Sequence, residues 1–200
     1  DDGITMNNAS VDIEIGYFSQ ANSQYFNGLI DEVAIWDDVL TASEVTAIYN
    51  NGAPTDLTTD AGNYASSANL QGHWRMEEGS GTSVADSSSN SNAATLNNSP
   101  TFSTDVPVYS NNYSIALDGS NDYAPVVGSL SAGTYNFLTS TLTYSASLWF
   151  KLDDHTQNSS QVLLANNYTG SNKGIQIWYD NRSGISTKAL RVNPWAGSSV

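Results

Sequence analysis

Residues 27 to 52 read NGLIDEVAIWDDVLTASEVTAIYNNG. From Gly28 to Trp36 the side chains fall into two alternating sets, the period of a β-strand. Leu29, Asp31, Val33 and Ile35 make up one set, and Ile30, Glu32, Ala34 and Trp36 the other. Val33 and Ile35 are expected to face a core, with Asp31 at the rim of the same face. A helix follows. Thr41 is placed to cap it, and Glu44, three residues on, completes a capping box. Val45, Ile48 and Tyr49 form its expected apolar stripe, and Asn50-Asn51-Gly52 supplies a left-handed stop. A closing strand followed by a capped helix suits the end of a β domain, yet most of the chain comes after it.

Upstream, VDIEIGYF (Val11 to Phe18) alternates with period two, and SQANSQYFNG leads from it as a polar loop. Downstream, residues 53 to 69 are poor in hydrophobics and lack periodicity, so they are expected to form a linker. LQGHWRMEE (Leu70 to Glu78) opens a new strand, followed by a Gly/Ser/Asn turn region and a short strand near Ala94 to Leu96. YSIALDGSNDYAPVV (Tyr113 to Val127) is expected as two strands around an Asp-Gly turn. In TLTYSASLWFKLD, Leu142, Tyr144, Ala146, Leu148 and Phe150 share a face. QVLLANN and GIQIWYDN are expected to form a hairpin, with ALRVNPW as a further strand. Short strands, frequent turns and one short helix indicate an all-β, antiparallel sandwich.

The 200 residues carry 6 basic and 20 acidic side chains, a net charge of −14. That field repels phosphate backbones and anionic lipid, which argues against nucleic-acid and membrane-surface roles. There is no cysteine, hence no disulfide framework and no thiol chemistry. No run is apolar enough to span a bilayer, and no leader pattern is present, so membrane insertion is not expected. With Asp-Asp-Gly at its start, the chain is expected to be a mature fragment or part of something longer.

WRMEEGSGTSVADSSSNSNAATL resembles the opening of laminin-G-like, concanavalin A-like jelly-roll domains, with its aromatic strand, acidic-Gly-Ser-Gly turn and Asp-Ser-Ser turn. YSIALDGSNDYAPV is similar to the family's next hairpin and LTYSASLWFKL to the strand after it. FNGLIDEVAIWDDVLTASEVTAIYNNG resembles the strand and helix that close the family's domains. The resemblance therefore covers most of the chain in two blocks of swapped order. Residues 1–57 look like the end of one module, 58–68 like a linker, and 69–200 like the start of a second. A sandwich short of a central strand exposes backbone groups and an apolar face. The front block is therefore expected to complete a sandwich with the rear block of the same or a neighbouring copy.

The resemblance implies a jelly roll with a structural Ca²⁺ on its convex face. Asp31 would be the side-chain ligand, with Asp118, Asn121 and Asp122 as candidates for the rest. Calcium takes six to eight oxygens; the competing reading is that Asp118 and Asp122 close an Asx turn and Asp31 bonds backbone amides. Glu77, Glu78 and Asp86 fit turn-capping roles. No Glu-x-Asp-x-Glu run supplies the carboxylate pair that a glycosidase of this fold needs. Asp12 and Glu14 share a face that is expected to be solvated. His73 and His155 have no nucleophile beside them. The chain is not expected to be an enzyme.

Aromatic rings stack on sugar faces while Asn, Asp and Gln bond the hydroxyls. Tyr168 with Asn166 and Asn167 is the first such group, followed by Trp178 with Tyr179 and Asp180, and by Tyr17 with Phe18. Trp36, Trp74, Trp149 and Trp178 alternate as core or inter-sheet residues would. The expected function is a non-catalytic carbohydrate-binding or adhesion module, one of a tandem array on an extracellular, cell or virion surface. Its partners would be glycans or glycoproteins and neighbouring copies or modules of the same polypeptide. The alternatives are a structural spacer, fibre or decoration repeat, or an accessory domain of a secreted polysaccharide-degrading enzyme.

Overall fold

The computed structural model describes residues 13–19, 24–107, 111–126, 143–153, 159–166, 174–184 and 188–195. They form two antiparallel sheets, a two-stranded hairpin and one short α-helix, an all-β sandwich. The first sheet runs β12 (Ala189–Trp195), β11 (Gly174–Asp180), β10 (Ser160–Asn166), β1 (Ile13–Ile15), β8 (Ala124–Val126). The second centres on β2 (Asn27–Trp36). β9 (Ser145–Leu152) pairs with β2 along one edge, while β7 (Ser114–Asp118) and β3 (Leu70–Trp74) pair with the two ends of β2. β6 (Thr101–Ser103) flanks β7.

The front of the chain is thus built into the rear. β1 lies between β8 and β10, and β2 lies between β9 on one side and β3 and β7 on the other. These ladders satisfy backbone groups that would otherwise be exposed. The main core fills the space between the sheets with Ile13, Ile15, Ile30, Val33, Ile35, Trp74, Ile115, Leu163 and Ile177 among others.

Glu32 breaks the alternation expected of β2. It has φ 48° and sits where the ladder to β9 shifts register, between Asp31 and Ala34. One extra residue in a strand reverses which face the later side chains occupy. Ile30 therefore joins Val33 and Ile35 in the core, while Leu29 and Asp31 line a cleft on the outer face. The expected grouping of Leu29 and Asp31 with Val33 and Ile35 does not hold.

The helix α1 (Ala42–Tyr49) begins at the expected capping box: the Glu44 amide donates to the Thr41 hydroxyl and the Thr41 amide to the Glu44 carboxylate. Of its expected apolar stripe only Ile48 packs inward, against a second core on the outer face, while Val45 is 54% and Tyr49 55% exposed. Glu44 is the buried residue, and it reaches the Ser66 hydroxyl and Ala65 amide of the segment expected as a linker. That segment is packed. The Trp36 indole donates to the Tyr64 hydroxyl, which donates to the Leu57 carbonyl, and these residues join Ala34 and Leu70 in a second core on the outer face.

Asp118 to Tyr123 is not a hairpin turn: β7 belongs to one sheet and β8 to the other, so this stretch crosses between layers. β10 and β11 pair as expected, and β12 adds to β11. Glu14, expected on a solvated face, is buried and accepts from the Ser19 amide.

The two flanks of the sandwich differ. On one, a hairpin of β4 (Ser83–Val84) and β5 (Ala94–Thr95) joins the layers. Trp74 of β3 bridges to Asp86 beyond β4, and Asn97 beyond β5 bridges to Tyr123 before β8. On the other flank lie β9 and β12, each paired on one edge only among the described residues.

Candidate functional site

The outer face of the second sheet carries a cleft of about 490 Å³. Its floor is Leu29 and Asp31 of β2 with Trp149, Phe150 and Lys151 of β9; Asn51, Gly52, Asp105, Val106, Pro107 and Ser114 complete the walls. A second groove of about 440 Å³ runs between α1 and β9, and Trp149 borders it too. Trp149 thus stands between two hollows. It lies opposite Asp31 in the ladder, on the outer face, and the Tyr49 ring stacks against it at 5.8 Å. The expected core or inter-sheet place for Trp149 is not what the fold gives it, because the opposite side of β9, with Ala146, Leu148 and Leu152, is the one that packs against the main core. The signal that could have found it is its neighbour Lys151, a charged residue two positions on in the same strand.

Asp31 is the most unusual group of the cleft. It is only 2% exposed, and no ion pair reaches it among the described residues. It accepts from the Asn111 side-chain amide at 2.7 Å and from the Glu32 amide at 2.9 Å. Burial pushes its carboxyl up to about 7, against the pull of the Asn111 hydrogen bond, and the nearby Glu32 and Glu77 charges add to the rise. The carbonyl oxygen of Asn111 is itself buried with no hydrogen-bond partner. A buried carboxylate beside an unpartnered carbonyl oxygen is a donor set that suits a hard divalent cation.

The bulge turns the next carboxylate inward. Glu32 accepts from Arg75 Nε at 3.2 Å and lies 2.7 Å from His73 Nε2. His73 is completely buried, so this pair braces β2 against β3 and presents no group to a substrate. Asp86 accepts from the amides of His73, Ser88 and Asn92 and from the Ser88 hydroxyl, the turn-holding role expected of it. Glu77 likewise accepts from the Asn112 and Tyr113 amides.

The other metal candidates fall elsewhere. Asp118, Asn121 and Asp122 share one turn, in which the Asp118 carboxylate accepts from the Ser120 and Asn121 amides. Those amide bonds hold its carboxyl below the usual range, whereas burial raises that of Asp122. Asp118 pairs with Asn27, four residues from Asp31 along β2, which is about 13 Å at the rise of a strand. Asp31 and this turn do not meet in one ligand shell. No group of three or more His, Asp or Glu side chains converges among the described residues.

Of the expected sugar contacts, Asn167 and Tyr168 lie outside the described residues, as does His155. Asn166 is buried, and its side-chain oxygen accepts from the Ile175 amide at 2.6 Å, a bracing contact between β10 and β11. Tyr17 and Phe18 are buried; Tyr17 stacks on Tyr25 at 4.4 Å. Trp178 packs against Phe18, Val162 and Ala165, and Asp180 is held by Arg182 and Arg191.

No family model, no curated protein and no solved structure matches this chain. No helix of the described residues is long and apolar enough to cross a membrane.

Proposed function

We propose that the chain is a non-catalytic carbohydrate-binding or adhesion module of the laminin-G-like type, working outside the cell, with its binding site in the Trp149 cleft. The observation that carries this reading is the composition of that cleft. Trp149 offers an apolar ring beside Leu29, Val106 and Pro107, and Asn51, Asp105, Ser114 and Lys151 offer hydrogen-bonding groups around it. Sugars are held by this combination of ring faces and flanking polar groups.

Calcium belongs to the proposal as a structural ion. Asp31 and Asn111 are the residues that would hold it, and it would supply the positive charge that Asp31 lacks. The residues of this chain would do the rest: the bulge at Glu32 aims Asp31 outward, and the β2–β9 ladder sets Trp149 beside it.

A glycan-array screen of the chain, with calcium and with chelator, followed by calorimetry on the best hit, tests the reading. Trp149→Ala is expected to weaken binding at least tenfold while the far-ultraviolet circular dichroism stays unchanged. Binding that survives Trp149→Ala intact would overturn the assigned site. A blank array would favour the structural-spacer alternative.

A further inference from the structure

We propose that Tyr49 is the positioning residue of the Trp149 cleft: stacked on one face of the indole, it holds the ring so that the other face is presented to a sugar. The proposal rests on the carbohydrate-binding reading of that cleft and names the residue that prepares it.

The helix α1 acts as an arm of fixed length. At its start the Leu40 amide donates to the Ser145 hydroxyl at 2.9 Å, and that hydroxyl donates to the Asp38 carbonyl. At its end the Tyr49 ring lies 5.8 Å from that of Trp149, with 25° between their planes. The 8 residues of α1 span about 12 Å at the rise of a helix. Ser145 and Trp149 are separated by about 13 Å at the rise of a strand. The spans match, so α1 runs alongside β9 and delivers Tyr49 onto Trp149. Other residues anchor the helix. Glu44 bonds to Ser66 and Ala65, and Ala47 and Ile48 pack against the second core. Tyr49, half in water, adds little to that anchoring. What its ring does is fix the orientation of the ring beneath it.

The turn after Tyr49 keeps the cleft side of the indole clear. Asn50, Asn51 and Gly52 have φ of 41°, 54° and 93°, three left-handed residues in succession. The Asn50 side-chain amide donates to the Ala53 carbonyl, and the Ala53 amide to the Asn50 carbonyl, which closes the turn. Residues other than glycine hold this conformation where their surroundings enforce it, and they cluster at ligand-binding segments. Here the turn carries Asn51 and Gly52 to the cleft wall. A Cβ at Gly52 would lie 4.0 Å from Trp149 Cη2, so a longer side chain there would reach over the ring's edge. Tyr49 lines the groove between α1 and β9, whereas Asn51 and Gly52 line the larger cleft, and Trp149 borders both. One side of the indole is thus occupied by Tyr49 and the other is left for a sugar ring.

Replacing the 5 tryptophans by fluorotryptophan gives Trp149 a fluorine resonance, assigned by its loss in Trp149→Phe. Without any sugar, Tyr49→Ala is expected to shift and broaden that resonance, and Tyr49→Phe to restore it. Val45→Ala, one turn earlier on the same helix, is expected to leave it in place. The methyl glycosides of glucose, galactose, mannose and N-acetylglucosamine are then titrated, together with the best hit of the glycan array. Tyr49→Ala is expected to weaken binding about two- to tenfold, the cost of immobilising one freed side chain, and Tyr49→Phe to leave it unchanged. An unmoved Trp149 resonance or an undiminished affinity in Tyr49→Ala would overturn the proposal, while binding that still depends on Trp149 would uphold the cleft. A Trp149 resonance that no sugar moves in the unsubstituted chain would overturn the cleft reading and this proposal with it.

Discussion

The two flanks of the sandwich solve the same physical problem to different degrees. On the β4–β5 side Trp74, Met76, Val84 and Ala94 have no exposed surface and Leu96 almost none. Between them the chain spends only two short strands, held in place by the Asp86 carboxylate and by the Trp74 indole, which donates to the Asn92 carbonyl at 2.9 Å. On the β9–β12 side Ala146, Leu148 and Leu152 are half-buried, and Leu190 and Val192 face water. The lesson is that a sandwich does not need a full strand on each side to be sealed. A hairpin with a well-bonded turn suffices, and where none is present among the described residues the edge is left open. Stability should accordingly be concentrated on the closed side.

The largest expected effect comes from breaking the closed side. Trp74→Ala removes a fully buried ring that packs against the hairpin and leaves the Asn92 carbonyl without its donor. Substitutions of this kind cost about 3–5 kcal/mol. In a domain of this size that corresponds to a fall of roughly 6–20 °C in thermal midpoint, read by calorimetry or circular dichroism. A fall of only a degree or two would show that the hairpin is not what seals the flank.

A smaller effect, with a definite sign, is expected from the cleft beside the open flank. The Asp31 carboxyl stands at about 7 in the folded protein against an ordinary 3.8. The folded state therefore keeps a proton that the unfolded chain releases between about pH 4 and 7. This contribution is fully present below about pH 4 and is lost as pH rises through 7. Glu44 has the opposite sign. Its carboxyl is held down at about 2, first by the Ser66 hydroxyl and then by Thr41, so its contribution is present above its ordinary range and lost as pH falls toward 2. Asp31→Asn, with an amide that can donate to the unpartnered Asn111 carbonyl, is expected to raise the midpoint by a few degrees at pH 8, at roughly 2–4 °C per kcal/mol. It should change little at pH 4. Calcium is expected to stabilise the unsubstituted chain at pH 8 and to have no such effect on Asp31→Asn. Equal calcium stabilisation of both would remove Asp31 from any metal site.

How far the sequence could have led to this point depends on which interactions are local. The capping box of Thr41 and Glu44 is legible because both partners lie within one turn, and the β10–β11 hairpin because its strands are neighbours in sequence. The bulge at Glu32 was not legible: one left-handed residue is stabilised by contacts 41 and 43 positions away in sequence, from His73 and Arg75. That single residue moves Leu29 and Asp31 to the outer face and so decides where the cleft lies. Tyr64 was hidden for a similar reason, since its burial depends on Trp36 and on a helix that no local pattern of residues 53 to 69 reveals. The Asp118 turn was misjudged because the same Asp-Gly chemistry serves a hairpin and a crossing between layers; only the partners of β7 and β8 distinguish the two.

The smallest expected effect is the one that most sharpens the contrast between the flanks. Leu190→Ser and Val192→Ser alter two apolar side chains on the core-facing side of a strand, positions where the closed flank would lose several kcal/mol. On the open flank these side chains already meet water, so little burial is lost when they are shortened. Each is expected to change unfolding free energy by less than about 0.5 kcal/mol, as exposed sites do. Urea melts measure this directly. A loss above about 2 kcal/mol would mean that the two residues are covered. The flank would then be closed, and the difference between the two sides of the molecule would be one of construction and not of burial.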